Sequence, residues 1–146
     1  MKDDASVSYR KQLPQCFPPE RRRTAGRDGQ PRDLAEHGAA RLACRRATPE
    51  EMAEILARGE DVDRCIRQGQ DRTEADREFH AAIVRATHNA FMMRLLPMIN
   101  QAVAAAITSG QHKDQLAEDT RRDHALLMDF FRKGDAEGAG HAMAIH

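Results

Sequence analysis

The sequence predicts an all-α protein, an antiparallel bundle of about six helices, from three features. Apolar residues recur at helical spacing in segment after segment. Aromatic residues make up only 4% and Trp is absent, which suits helix packing better than a β-sandwich. Helix-start and helix-stop residues fall between the apolar stripes, where a bundle needs its turns.

The leading 30 residues differ in character. Pro, Gly and charges interrupt every apolar pattern in "MKDDASVSYRKQLPQCFPPERRRTAGRDGQ", so little surface could offset the entropy of ordering. Residues 1–30 are expected to be disordered or extraneous to the fold, and the "RRR" at 21–23 a solvated run. The helical domain is expected over 31–146.

Within it, "RDLAEHGAARLACRR" places Leu34, Ala39, Ala40, Leu42 and Ala43 on a first helix, interrupted only by Gly38. Thr48, Pro49 and Glu51 form a capping box with Pro at the first helical position. Met52, Ile55, Leu56, Val62, Cys65 and Ile66 then run to a stop at Gly69, with Gly59 weakening the middle. The third helix carries "TEADREFHAAIVRATHN" and ends near His88; Asn89 suits the N-cap of the fourth. The fourth offers a stripe of Leu95, Leu96, Ile99, Val103 and Ile107, with Pro97 removing one backbone bond. Leu126, Leu127, Phe130 and Phe131 are expected to face inward from the fifth. Gly134 and Asp135 predict a tight hairpin into a sixth helix, "AEGAGHAMAIH", whose small residues permit close packing.

The formal net charge is zero, so bulk electrostatics favour neither nucleic acid nor an anionic surface. No apolar run reaches the ~18–20 residues of a membrane span, and the N-terminus lacks a signal-like stretch. Three widely spaced cysteines without CxxC suit a reduced, cytoplasmic setting and no cysteine metal site.

Chemistry concentrates in one constellation. Asp76 and His80 are four apart, on one helix face, close enough to chelate a single ion. His124 precedes Gly134 by ten residues and His146 follows it by twelve. On antiparallel arms these depths are about 15 and 18 Å from the turn, nearly level. Three histidines and a carboxylate from three helices can therefore meet inside the bundle. Most helical histidines are surface or satisfied core residues, and the bland reading stays open at this point. His37, His88, His112 and His141 have no comparable relation. Glu74 and Glu78 point elsewhere on their helix, which leaves no general base for a metal-dependent hydrolase.

From about Arg32 to His146 the chain resembles the FCD domain, the helical effector-binding domain of FadR-type GntR transcription regulators. The resemblance rests on "RDLAEHGAARLACRRATPEEM", on "ADREFHAAIVRATHNAFMMRLL" and on the closing "DHALLMDFFRKGDAEGAGHAMAIH". It implies a bundle of six or seven helices around a pocket, a divalent metal on Asp76, His80, His124 and His146, and a dimer. It also implies a small organic acid as effector at the metal's remaining positions, with Arg32 and Asn89 at the pocket. Neutral imidazoles and a carboxylate suit zinc or nickel.

Relatives carry a winged-helix module before this domain. The thirty residues here have no such pattern, so this chain alone is not expected to read DNA. Relatives also continue the last helix beyond the final His. A ligand at the terminal position, after Gly138 and Gly140, is expected to fray. The expected role is thus a metal-dependent acid sensor without enzymatic activity. The alternatives are a metal-free dimerisation module and a helical hydrolase.

Overall fold

A computed structural model describes residues 31–108 and 113–146, leaving out a few side chains within the helices, among them those of Arg32 and Val103. The expectations for 1–30, for the side chain of Arg32 and for Val103 lie outside the described residues. Six helices follow in order: α1 (Pro31–Arg46), α2 (Pro49–Arg67), α3 (Thr73–Ala86), α4 (Ala90–Thr108), α5 (Lys113–Lys133) and α6 (Ala136–Ile145).

Local chemistry sets most boundaries. Thr48 Oγ1 accepts from Glu51 N–H at 3.2 Å while Glu51 Oε2 accepts from Thr48 N–H at 2.8 Å. That reciprocal pair satisfies two donors that an α2 start would otherwise leave without a partner. Gly69 and Gly134 end α2 and α5 with φ of 63° and 66°. In each case the next residue's N–H reaches back to a carbonyl in the last turn, Gln70 to Cys65 and Asp135 to Phe130. A left-handed glycine makes that return possible without Cβ strain. Asp135 Oδ1 then accepts from Gly138 N–H at 2.9 Å and starts α6.

Helix α3 is the central element, packed against α1, α2 and α4. Its residues Phe79 to Val84 are all buried, because helices cover it on more than one side. Two glycines that look like weak points in the sequence mark close approaches. A Cβ at Gly59 would strike the Met128 side chain and come within 3.1 Å of the Phe79 ring, so α2 runs through this point at close range. A Cβ at Gly138 would collide with the Phe130 ring and lie 2.7 Å from Asp135 Oδ2.

Two inward expectations need correction or qualification. Leu126 is 42% exposed, whereas Leu127 and Phe131 are buried and Phe130 is half-buried. The inward line of α5 runs through Thr120, His124, Leu127, Met128 and Phe131, at spacings of three and four, and Leu126 falls off it. On α4, Ile99 is buried and Leu95, Leu96 and Ile107 are half-buried.

Candidate metal centre

The inward faces of α3, α5 and α6 converge on one spot. Asp76, His80 and His124 are buried, and His146, which ends α6, is half-buried. One ligand atom from each of the four lies within 4.8 Å of the others. Asp76 Oδ1 is 3.6 Å from His80 Nε2 and 3.3 Å from His124 Nε2. His124 Nε2 and His146 Nε2 face each other at 3.0 Å. The level placement of the two hairpin histidines is therefore found as the residue count predicts.

Packing holds these rings in place. Phe79 lies against the His124 ring with centroids 4.5 Å apart, and His80 stacks on His146 at 5.3 Å and 15°. His146 is better held than a terminal residue need be: its N–H donates to Ala142 O at 3.3 Å, and Asp123 Oδ2 lies 3.8 Å from its Nδ1. The glycines before it tighten the seating of α6, since a Cβ at Gly140 would come within 2.5 Å of Arg41.

The electrostatics match a cation site. Burial pushes the Asp76 carboxyl above the ordinary 3.8, while the His146 imidazole and the Arg72 guanidinium pull it back. Burial also holds His124 well below 6.5, with the charges of His146, His80 and Arg72 acting in the same direction. A neutral imidazole keeps a lone pair available for a metal. Asp76 Oδ1 is fully buried and accepts no hydrogen bond, although nitrogens stand on two sides of it. A buried acceptor without a hydrogen-bond donor is costly. A cation shared with the facing nitrogens would satisfy it. Four ligands at ~2.1 Å in a tetrahedron stand about 3.4 Å apart; three of the six spacings, 3.0 to 3.6 Å, bracket that value, and all stay within 4.8 Å. One oxygen and three imidazole nitrogens suit a borderline divalent ion.

The other named residues are not among the four whose ligand atoms converge. Asn89 begins α4, its Oδ1 accepting from Phe91 N–H at 2.9 Å, which is a capping bond. Arg32 lies in the first turn of α1. His37 and His141 meet edge-on at 5.7 Å on the α1–α6 seam, and His88 pairs with Glu51 on the surface at 2.9 Å. Among the buried polar residues that escape a reading focused on histidine are Arg72 and Thr120. Each precedes a ligand by four residues, Asp76 and His124 respectively, so the one-turn spacing was the signal available.

Fold and site define a helical domain with a carboxylate–histidine cluster suited to a divalent cation. The chain belongs to the FCD domain family, whose model matches residues 30–146. It is 30% identical over 115 residues to the galactonate operon transcriptional repressor of Escherichia coli (strain K12), covering 76% of this chain and 49% of the repressor. A solved structure titled Streptococcus agalactiae GntR superposes with a TM-score of 0.66 at 25% identity, covering 79% of this chain and 52% of that one. The chain thus spans about half the length of these relatives. No helix among the described residues is long and apolar enough to cross a membrane.

Proposed function

We propose that this chain is the acid-sensing part of a cytoplasmic transcription regulator and is not an enzyme. A divalent metal, zinc or nickel, is held by Asp76, His80, His124 and His146. The observation that carries the reading is Asp76 Oδ1, buried without a hydrogen bond among three converging imidazoles. Membership in the FCD family and likeness to named regulators support the regulatory role. The bound ion supplies an electrophilic position for one carboxylate of a small organic acid. The side chains bind and orient: Asp76 and His80 are fixed by α3, His124 by Phe79, and His146 by α6. In this reading Arg32 and Asn89 contact the acid, and DNA is bound by full-length relatives rather than by this chain alone.

A dimer belongs to the same reading. Phe91 and Met98, seven residues apart and so on one face of α4, are 64% and 38% exposed, an apolar strip that a second copy would cover.

The test is metal analysis of the purified chain with His80→Ala alongside, and melting with a panel of small organic acids with and without chelator. One metal per chain, lost in His80→Ala, and an acid-induced rise in Tm that chelation abolishes are expected. Substoichiometric metal in the unmodified chain, with an acid response unchanged by His80→Ala, would overturn the proposal.

A further inference from the structure

A buried guanidinium stands one helical turn from the metal cluster, without a carboxylate at ion-pair distance among the described residues. Arg72, immediately before α3, is 8% exposed. Its Nη2 donates to Thr120 Oγ1 at 3.3 Å, and its Nε has no hydrogen-bond partner. Thr120 Oγ1 already donates to Leu116 O at 2.8 Å, so it offers the guanidinium only a neutral lone pair. Removing a guanidinium from water is costly unless an anion and further hydrogen bonds compensate.

Arg72 also lines a cavity of about 500 Å³ where the ends of α2 and α4 meet the starts of α3 and α5. That size is ordinary for a small-molecule site. Ile66, Ile107, Leu116 and Ala117 give it an apolar wall, while Thr73 adds a hydroxyl beside Arg72. None of the four cluster residues lines it. Asp114 also borders the cavity, and its charge disfavours a ligand with a second anionic group.

We infer that this cavity is a second ligand site, separate from the metal centre, that takes a small monocarboxylic acid with an apolar body. The carboxylate pairs with Arg72 through the fork of its guanidinium, and the hydrocarbon lies against the wall of Ile66, Ile107, Leu116 and Ala117. Binding there does not require the metal, and so does not depend on the preceding reading.

Hexanoate is the probe, titrated calorimetrically into the full chain after chelation and again after metal loading. One hexanoate per chain is expected after chelation, and the same site should persist after metal loading, where the ion can take a second. Arg72→Gln should weaken it at least about tenfold, the loss expected for a charge-assisted pair, while Arg72→Lys should fall in between. Ala117→Leu leaves Arg72 in place but fills the cavity, and should also weaken hexanoate while leaving metal content unchanged. It keeps the idea testable if Arg72→Gln does not fold. The proposal is overturned if hexanoate binds only the metal-loaded chain, if Ala117→Leu binds as tightly as the parent, or if inorganic phosphate or succinate binds this site more tightly. Absence of metal from the purified chain would sink the metal reading and leave the hexanoate result standing.

Discussion

Two groups of histidines occupy opposite circumstances in one small bundle. His80, His124 and His146 converge with Asp76 inside α3, α5 and α6. His37 and His141 meet on the α1–α6 seam, 5.7 Å apart, where Glu137 lies between the chains of Arg41 and Arg45 and accepts from both. The residue type is the same, and so is proximity. What differs is the carboxylate. At the seam Glu137 is answered by two guanidinium groups, whereas Asp76 Oδ1 faces the ring nitrogens of His80 and His124 and, among the described residues, takes no hydrogen bond. What sets the Asp76 cluster apart is less its histidines than a buried oxygen that takes no hydrogen bond among the described residues.

The strongest way to break this contrast is to remove the proposed ion. Metal at a thousand times its Kd adds about 4 kcal/mol to folding stability. Calorimetric melting should therefore show a large loss of Tm on chelation for the parent and almost none for Asp76→Asn, which no longer presents the carboxylate. Equal chelator sensitivity in the two proteins would place the ion elsewhere.

The position of α6 sharpens it next. A Cβ at Gly138 meets the Phe130 ring, whereas one at Gly140 meets the flexible methylenes of Arg41. Gly138→Ala should cost about 1–3 kcal/mol through overpacking and weaken metal binding by shifting His146. Gly140→Ala should cost less in both, since the arginine can swing aside. Denaturant melts and metal competition titrations of the two variants measure the difference.

Proton competition gives a smaller, graded effect. In the metal-free chain His124 resists protonation when folded, because its pKa is depressed by burial, yet takes a proton near 6.5 when unfolded. The unfolded state therefore binds more protons below that pH, and folding stability falls as pH drops from 6.5 toward the depressed value. The slope from one such group is at most about 1.4 kcal/mol per pH unit. Asp76 acts in the opposite sense: with its folded pKa raised, stability falls as pH rises from 3.8 toward that value. Urea melts of chelated protein between pH 7 and 5 should show the histidine slope, and His124→Asn should flatten it.

Much of this was legible in the sequence because it depended on counting. Helix stops at Gly69 and Gly134, the Thr48–Glu51 box and the level pair His124 and His146 all follow from spacing along the chain. Features that depend on how helices lie against one another were not. Gly59 reads as a weak helix position, yet it permits α2 to approach Met128 and Phe79. Leu126 reads as core because it adjoins Leu127, but one residue turns it about 100° away from the inward line. Arg72 carries no motif; only the burial produced by α3 and α5 together makes its charge conspicuous.

The smallest effect is the most discriminating for the contrast between the two histidine groups. His37→Ala and His141→Ala remove imidazoles that meet edge-on outside the Asp76 cluster, and His141 is exposed. Each should leave metal content unchanged and alter stability by no more than about 0.5 kcal/mol, as surface substitutions usually do. If either variant lost the metal as His80→Ala is expected to, convergence around Asp76 would not be what selects the ligands. The seam would then have to be treated as part of the centre.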